Sequence, residues 1–203
     1  MAEPATHHCG NCGAELPRRL RHAKMFTCTP CGTTSVLRDE AWELAGTGGV
    51  MQDAPSLVRI GEQVEVEGLT LMPVGHARFG YGRGWWDEFW CLDGEGEGHW
   101  LSADEGDYAL ERPLAPGDWP SGFRPSLGAT VTIRGETFRV TEAETAVCLA
   151  VRGEFPEELE IDEAHLYFDL AGPGGQIATF EKWEGGEAWT FGVWLDPWDL
   201  RAA

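Results

Sequence analysis

Nowhere in this chain do apolar residues run on for the roughly 18 positions that a membrane-spanning helix needs. Its first ten residues hold no basic start followed by an apolar run, which argues against a secretory leader and sets the expectation of a cytoplasmic protein. In a reducing compartment six cysteines are read as metal ligands or free thiols, not as a disulfide framework. The 27 glycines follow no period, so a collagen-like repeat is excluded. There is no Gly-rich phosphate loop leading from strand to helix and no G-x-S-x-G, so nucleotide binding and hydrolase chemistry of those kinds have no foothold. Positive charge is scarce, with 15 basic against 34 acidic residues and a formal net charge of −19. Residues 1–38 run against that trend: Arg18, Arg19, Arg21, Lys24 and Arg38 outnumber Glu3 and Glu15, which leaves −22 for the rest. An acidic body repels phosphate backbones, so nucleic acid is not an expected partner. The basic N-terminal segment is suited to an acidic protein.

What the chain does have is aromatic mass and turns. Ten tryptophans and an apolar share of 42% suffice for a core and exclude a disordered chain. From Leu57 onward the pattern has period two: Val64, Val66, Leu69 and Leu71, then Val131, Ile133, Phe138 and Val140, alternate with polar residues. Turn signals punctuate it at Glu67-Gly68, Asp93-Gly94, Glu105-Gly106, Arg134-Gly135, Pro173-Gly174 and Gly185-Gly186. The expected fold is all-β, a barrel or sandwich preceded by a small cysteine module. The expected boundaries are a zinc ribbon over 1–38, a connector over 39–56 and a β body over 57–203. Within the connector, Asp39 to Ala45 is read as a short helix ended by Gly46, Gly48 and Gly49.

The body also repeats. Ile60-Gly61, Val64, Val66, Gly68, Thr70 and Leu71 match Leu127-Gly128, Val131, Ile133, Gly135, Thr137 and Phe138 with a constant shift of 67. Farther on, Phe89, Trp90, Leu92 and Gly94 match Tyr167, Phe168, Leu170 and Gly172 with a shift of 78, so about eleven extra residues fall near Thr145 to Phe155. Two similar β units, about 57–115 and 124–200, are expected to pack into one body.

The strongest chemical signal is Cys9-Gly10-Asn11-Cys12-Gly13 with Cys28-Thr29-Pro30-Cys31-Gly32. Two intervening residues let one tight turn aim both thiolates at one metal, and the following glycine permits positive φ. Fifteen residues between the pairs leave room for a hairpin that brings them together, the spacing of a four-thiolate zinc site. A full set of four thiolates makes a closed, structural site. Redox dithiols, or His7, His8 or His22 replacing a cysteine, are the weaker readings.

Other residues carry less. Trp85, Trp86, Phe89, Trp90 and Trp100, with Asp87 and Glu88 among them, form a core or, where exposed, a partner or cation surface. Trp85, Trp86 and Trp90, with Arg18, Arg19, Arg21 and Lys24, are the candidate partner-binding residues. Glu154 and Glu181 stand out as carboxylates without a known separation, and solvation is the simpler reading. His76, His99 and His165 have no metal spacing, and Cys91 and Cys148 sit alone in apolar strands as buried thiols do. No catalytic residue is assigned.

The body resembles a known family. Ile60-Gly61 with Val64 to Gly68, Trp86-Asp87-Glu88-Phe89 leading to Trp100-Leu101, Gly153-Glu154-Phe155-Pro156, Phe180-Glu181 and Phe191-Gly192-Val193-Trp194 are similar to the bacterial domain-of-unknown-function family four-one-seven-eight, over about Leu57 to Leu200. Glu157-Glu158 depart from it where a tryptophan is expected. The resemblance implies an all-β body without an assigned activity. It also implies companions among membrane-stress coat proteins, flotillin-like proteins, polyamine enzymes and ATP-grasp ligases. The leading expectation is a non-catalytic accessory or adaptor of a bacterial assembly near the membrane, with one structural zinc and a protein partner. The alternatives are an acidic-aromatic binder of small cations such as polyamines, or an enzyme of unrecognised chemistry. A cleft lined by Trp and carboxylates would mark the first alternative, and converging carboxylates or histidines in a pocket the second.

Overall fold

The computed structural model describes residues 7–16, 23–39 and 41–203. Among these, strands dominate, and the helical elements are single 3-10 turns. No helix among them is long and apolar enough to cross a membrane. The N-terminal module starts with β1 (His7–His8) paired to β2 (Glu15–Leu16). It continues as an antiparallel sheet of β3 (Met25–Thr27), β4 (Thr33–Arg38) and β5 (Ala41–Thr47).

The strand β5 corrects the helix expected over Asp39 to Ala45. Asp39 turns the chain at φ 47°, and Ala41 to Thr47 run back along β4 from Arg38↔Ala41 to Thr33↔Thr47. So short a helix is marginal alone, whereas the open edge of β4 supplies ladder partners at once. Beyond β5 the chain stays docked. Gly48 N–H donates to Gly32 O at 2.9 Å, and Val151 N–H to Gly48 O at 2.8 Å. Arg78 holds Gln52 O at 2.8 Å, and Arg152 holds Met51 O.

Next come β6 (Val64–Val66), β7 (Leu69–Gly80), β8 (Trp85–Leu92), β9 (Gly98–Asp104) and β10 (Asp107–Pro113). The second set is β11 (Thr130–Ile133), β12 (Glu136–Phe155), β13 (Ala164–Ala171), β14 (Gln176–Trp183) and β15 (Gly186–Leu195), and β16 (Arg201–Ala202) returns to pair with β6. Each set is an antiparallel meander. They join edge to edge, β10 to β15 and β7 to β12, which closes an eight-stranded barrel with no free edge.

The two units share their registers. Val64↔Leu71 and Val66↔Leu69 in the first correspond, 67 residues on, to Val131↔Phe138 and Ile133↔Glu136. Gly61 N–H donates to Pro73 O and Gly128 N–H to Val140 O, both at 2.9 Å. The bulge at Pro73/Gly75 recurs at Val140/Glu142. Both hairpins turn through two residues of positive φ, Glu67-Gly68 and Arg134-Gly135, the primed geometry that matches strand twist. Downstream the ladders correspond with a shift of 79, not 78: Pro73↔Cys91 matches Val140↔Leu170, and Phe89↔Leu101 matches Phe168↔Phe180. The extra length is therefore twelve residues. Sixteen separate the paired Val147 and Ala164, where four separate Gly80 and Trp85. The insertion extends β12, and this extension pairs with β7 and then with β3, Met25 facing Phe155.

Alternation sorts the apolar residues into three main cores. One face of the first unit packs Leu71, Phe89, Leu101 and Leu110 under Val64 and Val66. The equivalent face of the second packs Phe138, Leu170, Phe180 and Trp189 around Ile133. The third core lies inside the barrel and at its ribbon end: Phe79, Trp86, Trp90, Trp100 and Tyr167 with Phe155, Met25 and Val36. Trp86 and Trp90 are thus buried, which removes them from the candidate partner surface, and Trp90 packs edge-on to Trp100. Trp85, on the opposite face, is 41% exposed.

Candidate metal centre and binding cavity

The two knuckles are built alike. Gly13 and Gly32 have φ of 74° and 69°, and each N–H closes back on the first cysteine of its pair, at 2.8 Å from Cys9 O and 2.7 Å from Cys28 O. The hairpin of β3 and β4 then brings one knuckle over the other. The sulfurs of Cys9, Cys12, Cys28 and Cys31 lie within 4.8 Å of one another, with 3.6 Å between Cys9 and Cys31 and between Cys12 and Cys28. A tetrahedron with metal–sulfur bonds of about 2.3 Å has edges of about 3.8 Å, so the four thiols fit one ion and the arrangement fits a zinc ribbon. Burial pushes the Cys28 thiol up to about 12, while the hydroxyl and backbone of Thr33 hold Cys31 down at about 6. His8 contacts Gly13 O instead of the cluster, and His22 lies outside the described residues.

Arg18, Arg19 and Arg21 also lie outside the described residues; Lys24 is exposed. Trp85 carries the Arg78 guanidinium over its ring at 3.7 Å. The histidines meet carboxylates: His76 Nε2 lies 2.9 Å from Asp87, His99 Nε2 3.0 Å from Asp93, and His165 Nε2 3.5 Å from Glu181. Cys91 and Cys148 are buried, and burial raises both thiols, Cys148 to about 12. A groove of about 790 Å³ runs between ribbon and barrel, but its ions are paired within the chain, Arg78 with Asp87 and Arg152 with Asp53.

The barrel interior is the second candidate site. It holds a partly open cavity of about 190 Å³ whose walls, among the described residues, carry eight carboxylates and no Lys, Arg or His. Successive inward residues of a strand lie about 7 Å apart, so the lining falls into layers. In one, Thr190 Oγ1 donates to Glu111 at 2.8 Å, and Thr179 Oγ1 lies 3.0 Å from Asp169 and 3.3 Å from Glu111. In the next, Trp86 Nε1 donates to Glu88 at 2.7 Å and Tyr167 OH to Glu142 at 2.9 Å, with Glu181 paired across the ladder to Tyr167. Asp104 Oδ1 is buried without a hydrogen-bond partner. Trp86 and Trp100 complete the apolar part of the wall.

Burial, reinforced by neighbouring negative charge, raises these acids. Burial and then the Asp169 charge bring Glu111 to about 8. Burial and the Glu142 charge bring Asp169 to about 7, though Thr179 opposes them. Burial brings Glu157 to about 7, and Glu88 is raised well above its ordinary value. Such a cavity attracts protons or a cation.

Of the two carboxylates singled out in the sequence, Glu181 lines the cavity, whereas Glu154 is buried on the β12 extension beside β3. Glu88, Glu111, Glu142, Glu157 and Asp169 were not singled out as sites. For all but Glu157, which lies in the loop after β12, the signal is alternation with buried apolar neighbours on strands that close on themselves.

A closed β-barrel carrying a four-cysteine ribbon is thus the class of protein that fold and sites define. Residues 59–197 match the family described as a domain of unknown function, DUF4178, and the chain belongs to that family. No curated protein and no solved structure is significantly similar to it.

Proposed function

We propose that this protein is a non-catalytic receptor whose barrel interior holds a small organic cation, an alkylammonium of the polyamine kind. The carrying observation is the barrel cavity with eight carboxylates, aromatic walls and, among the described residues, no basic side chain. A protonated amine supplies the missing positive charge. It donates to Glu111, Asp169 or Glu88, and its methylene chain lies against Trp86 and Trp100. At about 190 Å³ the space suits a slender ligand, below the usual range for drug-sized ones. Titration calorimetry with alkyl mono- and diamines tests this. A diamine should bind and raise Tm, and Glu111→Gln should weaken binding about 100-fold while the fold is kept. If no amine binds better than sodium, the reading falls.

The ribbon ion is proposed to be zinc, one per chain, in a structural role, because four closed thiolates leave no open position. Elemental analysis of protein purified without added metal checks identity and stoichiometry. The accessory role rests on Trp85, which stands exposed on the outer wall, and on the exposed Lys24 with Arg18, Arg19 and Arg21 of the basic segment. Under that role Trp85→Ala should abolish capture of a partner from a bacterial lysate, and loss of nothing on substitution counts against it.

A further inference from the structure

The twelve-residue insertion includes a segment, residues 156–163, that lies over the ribbon end of the barrel. It is held from two sides. On the barrel side, Leu159 and Ile161 pack on the interior core, and Asp162 N–H donates to Cys148 O at 2.9 Å. On the ribbon side, Leu159 N–H donates to the Met25 sulfur at 3.2 Å, Arg38 meets Glu158 at 2.6 Å, and Lys24 N–H donates to Phe155 O at 2.9 Å. Met25 and Arg38 stand on the two strands that join and follow the metal knuckles, three residues before Cys28 and seven after Cys31.

A second, smaller cavity of about 50 Å³ adjoins this segment, with Glu163 and His165 in its wall. It shares Phe79, Glu157, Leu159 and Glu181 with the acidic interior. Those four residues line both spaces, and two of the four belong to the segment. The barrel strands are paired all the way round, and at the opposite end the cavity lining reaches the exposed Asp107, Thr141 and Trp194.

Resting on the reading that the interior takes a cation, we infer that residues 156–163 are a gate at the ribbon end of the cavity, and that the metal-loaded ribbon holds the gate shut. The metal orders the knuckles, the knuckles position β3 and β4, and those strands clamp Leu159 and Glu158. Loss of the metal frees the segment, which carries Glu157 and Leu159 of the lining, and leaves the wall formed by the barrel strands in place. A cation bound inside would then exchange faster, and the protein would hold its ligand according to the state of its four thiols.

Two measurements on the full chain test this. The first is backbone hydrogen exchange of residues 157–163 in metal-loaded protein, in chelator-treated protein and in metal-loaded Arg38→Ala. The second is the release rate of 1,5-diaminopentane from the same three samples. Chelation should speed exchange in the gate at least about tenfold while β9 and β10 stay protected. Arg38→Ala should speed it about two- to fivefold, since that ion pair is largely exposed. Amine release should follow the same order. If Arg38→Ala, with metal retained, changes neither gate exchange nor release, the inference is overturned; so it is if chelation unprotects the whole barrel together with the gate. If the gate responds as expected but the diamine never binds, the gate stands and the cation reading fails.

Discussion

The two β units agree where they face outward and disagree where they face inward. On the outer cores, equivalent positions carry like residues: Leu71 and Phe138, Cys91 and Leu170, Leu101 and Phe180. Inside the barrel the same shift of 79 pairs Glu88 with Tyr167, Trp90 with Asp169, Trp100 with Thr179, Ser102 with Glu181 and Glu111 with Thr190. In four of these five pairs an acid in one unit has an aromatic or hydroxyl equivalent in the other, and in the fifth Trp100 matches a threonine. The outer cores hold each unit together and tolerate only apolar bulk, while the interior is shared and takes its chemistry from both halves.

The largest test of that contrast lies outside both units. Cys28→Ser should release the ribbon metal, and the loss should reach the barrel, because β3 continues the β12 ladder and places Met25 in the interior core. We expect a fall of about 3 kcal/mol or more in the stability of the ribbon and of the β12 extension docked on it, while β9 and β10 keep their protection in hydrogen exchange. A β12 extension as protected as before would show that ribbon and barrel are independent, as the connector reading of residues 39–56 implied.

Truncation on the outer cores should show the units as equals. Leu71 and Phe138 are both fully buried at matching rungs. Leu71→Ala and Phe138→Ala should each cost about 3–5 kcal/mol. A cost near zero for either one breaks the equivalence.

The interior should respond to pH instead. Burial raises Glu111, Asp169 and Glu157 in the fold to about 8, 7 and 7, from unfolded values near 4. The folded barrel then holds protons that the unfolded chain has released. The stability these groups carry is complete below about pH 4 and is lost as pH rises through 7 to 8, on the order of 3 kcal/mol once proton sharing is allowed for. Glu111→Gln should flatten that decline. Tryptophan-monitored melts between pH 6 and 9 check it, and stability rising over that range would contradict the placement of these acids.

The smallest effect concerns the hairpin turns. Gly68 and Gly135 have φ of 74° and 88° with open space around the would-be Cβ. Alanine at either should cost about 1–2 kcal/mol from backbone strain alone, and equally at both. Unequal costs would mean that one turn is held by contacts that the other lacks.

The metal site was legible because its chemistry is local: two knuckles and one hairpin specify it. The outer cores were legible because period-two alternation marks a buried face wherever it occurs. The interior was not. Glu88, Glu111, Asp169 and Glu181 alternate with Phe89, Leu110, Leu170 and Phe180, the pattern of a strand with one wet face. Only closure turns that face inward, and closure depends on pairings of β7 with β12 and β10 with β15 that no short window contains. The shift of 78 failed for a related reason. Phe89-Trp90 resembles Tyr167-Phe168 in composition, but a one-residue slip exchanges the faces, and the ladders set Phe89 against Phe168.

The way the barrel is closed also bears on how it forms. Within each meander the ladders join neighbouring strands, so they can zip from their turns. The seams are distant: Gly75 meets Gly153, Tyr108 meets Leu195, and Met25 meets Phe155. Bringing such partners together costs chain entropy before any contact repays it. The two meanders should therefore collapse first and separately, the seams join next, and the ribbon dock last. In stopped-flow refolding, Trp189 in the second outer core should report an early phase and Trp100 beside Phe155 a late one. Gly153→Val, whose Cβ would meet Val74 O at a φ of 83°, should keep the seam from joining and remove the late phase while the early one persists.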